Sequence, residues 1–226
     1  LVRRAFDAGA VGSGKNYTPS SPGVMNPQAH VVRHYSRVVA AGKDWVRLER
    51  PLPTDVIAAW SPELHLFLPL VRDVGVEDLS FEFPLKPYAG HLLEDGYNAL
   101  HFNQLSHSWV RNVHFVNADS GFYGWDDGHR GVWMERGANN LVQSFNVSCR
   151  MVHDVSVYNT EQASVFRRGT GRDLNLDHHR RMCFGNLFSD LDHGVGSRPF
   201  ASSGATGQGP TLGASPPSGT TGGAWP

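Results

Sequence analysis

Lysine is nearly missing from this 226-residue chain: Lys15, Lys43 and Lys86 are the only ones among twenty basic residues. There is no basic excess either, since the formal net charge is -1. A chain without a basic surface lacks the electrostatic footprint of nucleic-acid binding, so no nucleic-acid partner is expected. No apolar stretch is long enough to span a bilayer, so no membrane partner is expected. Cysteine is limited to Cys149 and Cys183, expected as buried thiols, with a pairing across adjacent layers left open. From residue 71 to about 200 no apolar stripe of period 3.6 persists over three turns, which argues against helix there. Hydrophobic residues at 40% and charged residues at 18% fit an ordinary globular domain, and the length allows one core with or without a tail. Arginine in place of lysine suits planar carboxylate or sulfate partners, although genome base composition produces the same bias.

A short motif fills the space these absences leave. Val76-Glu77-Asp78-Leu79-Ser80-Phe81 reads apolar, any, Asp/Asn, apolar, any, apolar. Val110-Arg111-Asn112-Val113-His114-Phe115 and Val152-His153-Asp154-Val155-Ser156-Val157 repeat it, and Phe184-Gly185-Asn186-Leu187 is a weaker copy. The copies are 34, 42 and 32 residues apart. Repeats of about 20–45 residues suggest coils stacked on one another, with an outer face suited to a polymer.

Three regions follow from the pattern. Residues 1–35 are an irregular N-terminal segment rich in Gly, Ser and Pro. Residues 36–200 open on two alternating runs around Gly42-Lys43-Asp44, which predict a β-hairpin. Strands are expected next at 76–83, 99–102, 110–116, 131–135, 141–147, 152–158, 173–178 and 186–191, short and rich in Val, Leu and Phe. Residues 201–226 are Gly, Ser, Thr, Ala and Pro with almost nothing to bury, a composition that predicts a disordered tail. The fold class expected is all-β, either a right-handed parallel β-helix or a β-sandwich built from the same strands.

The repeated strand, Asn117 and Asn159 at the same offset after two copies, and the hairpin exit Arg50-Pro51-Leu52 resemble the pectin-lyase-like superfamily of right-handed parallel β-helix proteins. The resemblance covers roughly residues 36–200. It implies that Asn117 and Asn159 stack at one turn, where amides donate to and accept from neighbours in adjacent coils. It also implies a secreted or extracellular protein, mostly enzymes that cleave or epimerise acidic polysaccharides, with tailspikes and adhesins as non-lyase members. No signal peptide is visible, and a chain opening on Leu1 is expected to be a piece of a longer one.

The densest polar cluster is Arg172-Asp173-Leu174-Asn175-Leu176-Asp177-His178-His179-Arg180-Arg181. On a strand, Leu174 and Leu176 point inward while Asp173, Asn175 and Asp177 share the outer row. Carboxylates, imidazoles and guanidinium groups on one face are the parts for acid–base chemistry on an anionic sugar. Expected catalytic residues are Asp177, His178, His179 and Arg180, with a histidine as base; arginine serves as base in some relatives, which keeps Arg180 in that role. Arg181, Tyr123, Trp125, His153 and Asp119 are expected to bind substrate. Asp173 and Asp177 would hold Ca²⁺, which favours oxygen ligands, to neutralise a uronate carboxylate; no organic cofactor is expected. A zinc site from His178, His179 and an acidic partner is not favoured, because no His-x-His or Cys-x-x-Cys spacing supports it. A second cluster, Asn117-Ala118-Asp119 through Asp126-Asp127-Gly128-His129-Arg130, superficially has polygalacturonase-type pieces, all crowded into one loop. Trp109 and Trp133 are expected in the core.

The expected function is β-eliminative cleavage of a uronate-containing polysaccharide. A glycoside hydrolase on the same fold, drawing on Asp119, Asp126, Asp127 and Asp177, is one alternative. A glycan-binding or adhesive β-solenoid using Trp125, Tyr123 and Tyr158 is the other.

Overall fold

The structure, a computed structural model, describes residues 2–4, 31–58, 62–87, 97–119, 121, 126–179 and 183–198. The expected tail at 201–226, most of the segment 1–35, and Tyr123, Trp125, Arg180 and Arg181 lie outside the described residues. The described residues form an all-β protein with parallel sheets. Short β1 (Val2–Arg4) and β2 (Val31–Arg33) pair antiparallel. The expected hairpin is β3 (Val38–Ala41) and β4 (Val46–Leu48), closed by the Gly42 amide donating to the Trp45 carbonyl at 2.9 Å.

Beyond the hairpin the chain alternates between two parallel sheets. The first holds β6 (Gly75–Phe83), β9 (Trp109–Asn117), β11 (Leu141–Val147), β13 (Val165–Gly171) and β15 (Leu187–Asp192), stacked in that order. The second holds β7 (Asn98–Asn103), β10 (Gly128–Glu135), β12 (Met151–Tyr158) and β14 (Leu176–His179). A short third edge stacks β5 (Val71–Arg72) on β8 (Leu105–Ser106), then carries single parallel bridges from Ser106 through Ala138 and Gln162 to Phe184. A sandwich needs antiparallel sheets facing each other; every pairing within the two larger sheets is parallel. The arrangement is compatible with a β-solenoid.

The register corrects the expected repeat. Val76, Val110, Val142, Phe166 and Phe188 form one column, spaced by 34, 32, 24 and 22 residues. The copy at Val152 belongs to the second sheet, so Val155 lies in a different sheet from Val113 and Leu187. An apolar-polar-apolar strand suits either sheet, and sequence alone does not distinguish them. The Asp/Asn position of the motif has its own cause in the first sheet. Asp78, Asn112, Ser144, Arg168 and Asp190 occupy equivalent places and all have positive φ, between 50° and 58°. Asp and Asn tolerate that left-handed bend better than most side chains.

Inner columns make the core. Val113 and Phe145 fill the first sheet's interior, Val132 and Val155 the second's, all at most 2% exposed. Phe145 occupies the space that a side chain on Gly169, its partner in the next strand, would need. The stacked polar turn runs through Ser108, Asn140, Ser164 and Asn186, not through Asn117 and Asn159. The Ser108 amide donates to Asn140 Oδ1 at 3.1 Å, the Asn140 amide to Ser164 Oγ at 3.0 Å, and the Ser164 amide to Asn186 Oδ1 at 3.0 Å. Asn117 ends a first-sheet strand and donates to Asp127, whereas Asn159 follows a second-sheet strand and donates to Glu135. The two asparagines therefore cannot stack.

Candidate functional site

The outward face of the second sheet gathers most of the unusual chemistry. Parallel register lines up His101, Trp133, Ser156 and Asp177 in one column. Asn103, Glu135, Tyr158 and His179 form the next, and Asn98, Arg130 and His153 a third. Strands about 4.8 Å apart bring these side chains into direct contact. The Arg130 guanidinium lies 4.1 Å above the Trp133 ring and 5.7 Å from the Tyr158 ring. Tyr158 stacks on His179 at 5.0 Å, and His101 stacks on Trp133 at 3.7 Å.

Asp177 sits beneath this aromatic layer. Its Oδ2 lies 3.4 Å from His153 Nδ1 and 3.3 Å from His179 Nδ1, and it accepts a hydrogen bond from Ser156 Oγ at 3.0 Å. Asp177 and His153 are buried, while the His179 side chain retains 21% exposure. Burial drives the His153 imidazole down to about 3, so it is neutral near pH 7. Burial alone would raise the Asp177 carboxyl. The hydrogen bond from His179, the neighbouring imidazoles and the Ser156 bond outweigh it and hold the acid below its ordinary value. An ionised carboxylate under two imidazoles is the direction that follows. His129 closes the far side, its ring edge-on to His153 at 5.2 Å.

Among the described residues, the structure brings together His153, Asp177 and His179 and places His178, Asp173 and Asp119 elsewhere. His178 occupies the inner column after Phe102, Met134 and Val157, with its ring 5.2 Å from Phe188. It faces away from Asp177's imidazole partners because alternation along β14 turns consecutive side chains to opposite faces. Asp173 precedes the regular strand. Its carboxylate accepts from the Ser197 amide at 2.7 Å and from the Ser197 hydroxyl, and lies 3.7 Å from Arg198 Nε. It does not share a row with Asp177, and the pair expected to hold Ca²⁺ is split. The Asp177 environment also fails that ion: Ca²⁺ takes six to eight oxygens, whereas two imidazole nitrogens converge here. Asp119 is an exposed turn residue accepting from the Gly121 amide. Asp126 and Asp127 are buried and engaged by Arg150 and Asn117 at 3.0 and 2.9 Å.

Sequence reasoning passed over Arg130 and Trp133. Trp133 is half-buried on the outer face, not in the core, and Trp109 likewise lies outside, donating to Glu77. The signal for Trp133 was its place between Val132 and Met134, which are fully buried; Arg130 has the parity of those inner residues, and alternation gives no sign of it. A separate groove of about 1110 Å³ lies by the hairpin, lined in part by His34, Tyr35, Arg50, Leu66 and Arg136. It holds none of the expected site residues.

No protein-family model, no curated protein and no solved structure matches the chain.

Proposed function

We propose that the chain is a right-handed parallel β-helix of the pectin-lyase-like kind that binds a uronate-containing polysaccharide and cleaves it by β-elimination. The observation that carries this reading is the platform of Arg130, Trp133 and Tyr158 beside the His153–Asp177–His179 cluster. Aromatic faces pack on sugar rings, and a guanidinium pairs with a planar carboxylate. Stacked strands repeat such contacts along a polymer.

Elimination requires three events. A base takes the C5 proton, the C5–H electron pair becomes the C4–C5 double bond, and the C4–O bond breaks with its pair on the leaving oxygen, which takes up a proton. Arg130 is the group assigned to the uronate carboxylate, whose neutralisation makes the carbanion accessible. Tyr158 is assigned both proton transfers, as phenolate taking the C5 proton and as phenol passing it to the leaving oxygen, with its ring fixed between Arg130 and His179. Of the residues first expected to act as base, His178 is on the inner face and His179 turns its Nδ1 toward Asp177.

The test is incubation of the protein with a panel of uronate polymers, followed in the ultraviolet for the conjugated product. Wild-type protein is expected to generate that absorbance, and Tyr158→Phe to lose it while still retaining polymer. New reducing ends without absorbance point to hydrolysis. Retention without cleavage points to a binding module. Neither retention nor cleavage removes the polysaccharide reading.

A further inference from the structure

The three side chains under the aromatic layer have a geometry that hydrogen bonding alone explains poorly. Two imidazole nitrogens converge on one carboxylate oxygen at 3.3 and 3.4 Å. Ordinary N–H···O bonds centre on about 2.9–3.0 Å. Two ligands on a tetrahedral ion with bonds of about 2.0–2.1 Å stand about 3.3–3.4 Å apart, which is the separation found. A second, independent observation concerns the other carboxylate oxygen. Asp177 is 1% exposed, and its Oδ1 is buried with no hydrogen-bond partner among the described residues. A buried carboxylate oxygen left so is costly unless a cation or a proton meets it.

We infer that His153, Asp177 and His179 form a site for one first-row transition divalent cation of the Zn²⁺ class, with an open position toward the solvent side of His179. Two imidazoles and one carboxylate suit such an ion and suit Ca²⁺ poorly. Three protein ligands with a free fourth position is the arrangement of catalytic rather than structural zinc. The supporting contacts are those that orient metal ligands elsewhere. Ser156 Oγ donates to Asp177, the His179 ring is stacked on Tyr158, and the His153 ring packs edge-on against His129. The ligands come from adjacent strands, β12 and β14, whose backbone register fixes their approach: Ser156 pairs with Asp177 and Tyr158 with His179. The open position faces the platform assigned above to the polymer, and a carboxylate of that polymer is the chemistry it would take. The ion site itself stands on its own geometry and is tested without sugar, so its failure leaves the polysaccharide reading in place, and the reverse holds too.

The experiment uses the full chain, stripped with chelator and titrated with Zn²⁺ by calorimetry and with Co²⁺ by visible absorption. One equivalent of Zn²⁺ should bind, Co²⁺ should give the intense visible bands of a four-coordinate site, and excess Ca²⁺ should not compete. His179→Ala should lose both the equivalent and the bands. Ser156→Ala should weaken binding by about 10–100-fold. His114→Ala, on the outer face of the first sheet, should change neither readout. Should His179→Ala fail to fold, imidazole resonances of the wild-type chain decide: Zn²⁺ is expected to shift two histidines and no others. Absence of binding, an unchanged equivalent in folded His179→Ala, loss of binding in His114→Ala, or effective competition by Ca²⁺ each overturns the inference.

Discussion

The outward faces of the two sheets have the same architecture and opposite contents. On the first sheet Glu77 meets Arg111 at 3.3 Å, Arg167 Nε donates to Gln143 at 2.8 Å, and Asn146 donates to Thr170 at 2.7 Å. These are ladders of polar side chains, several of them well exposed, of the kind any solvated sheet carries. On the second sheet the equivalent surface buries Asp177, His153 and Ser156 at 1% exposure or less and lays Trp133, Tyr158 and Arg130 around them. Burying a charge has a cost that a solvated ladder avoids. The fold does not require it, since the first sheet stacks without it. That contrast is why function is assigned to the second face.

The largest effect expected from breaking the contrast is on turnover. Arg130→Ala or Tyr158→Phe should lower the rate of uronate cleavage by about 10²–10⁴-fold, the usual contribution of a positioned acid–base group, whereas His114→Ala should leave it unchanged. Rates followed in the ultraviolet check this. Core packing, common to both faces, comes next. Phe145→Ala empties the space above Gly169 and should cost about 3–5 kcal/mol in denaturant unfolding. Removing the Asn140 side chain takes the acceptor from the Ser108 amide and a donor from Glu161, and Asn140→Ala should cost about 1–3 kcal/mol by the same measurement. The smallest effect belongs to the solvated face: Arg111→Ala should change stability by less than about 1 kcal/mol.

A pH experiment sharpens the role of the turn that joins the faces. Glu161 is fully buried and accepts from the Gly137 amide, Asn140 Nδ2 and Ser164 Oγ at 2.7, 2.9 and 2.7 Å. Burial still pushes its carboxyl up to about 7 from an ordinary 4.5. The folded state therefore binds the proton more tightly than the unfolded state. Stability from this group is present below about pH 4.5 and is lost as pH rises to about 7, by of order 3 kcal/mol. Glu161→Gln cannot titrate. The difference in melting temperature between variant and wild type should shift in the variant's favour across that window, whatever the variant's absolute stability. Groups with the opposite sign, His153 among them, cancel in the difference. A flat difference would contradict the assignment.

Much of the fold was legible because its strands are apolar and alternating. Seven of the expected strands coincide with β6, β7, β9, β10, β11, β12 and β15 within a few residues, and the eighth overlaps β14. In the two larger sheets the strand that escaped is β13, which reads Val165-Phe166-Arg167-Arg168-Gly169-Thr170-Gly171, with glycines at inner positions. Those glycines look like turn formers in sequence, but Gly169 is small because Phe145 from the neighbouring strand already fills the core there. Register was not legible. The motif at Val152 matched the copy at Val110, and only the pairing shows that they belong to different sheets. The site was half legible for the same reason. Asp177, His179 and His153 stood out as ionisable residues on strands. His178 shares the parity of Leu174 and Leu176 and so turns inward with them, and Asp173 leaves the row because the regular strand begins only at Leu176. Arg130 was hidden behind Asp126-Asp127-Gly128-His129, a run with the composition of a loop that instead leads straight into β10.

The most direct test of the central claim maps where a uronate oligosaccharide protects the backbone and side chains of the full chain, by amide hydrogen exchange together with imidazole resonances. The account predicts protection concentrated on β10, β12 and β14, with perturbed signals from His153 and His179 and an unperturbed His114. Protection on β9, β11 and β13 with β10 and β12 untouched would contradict it.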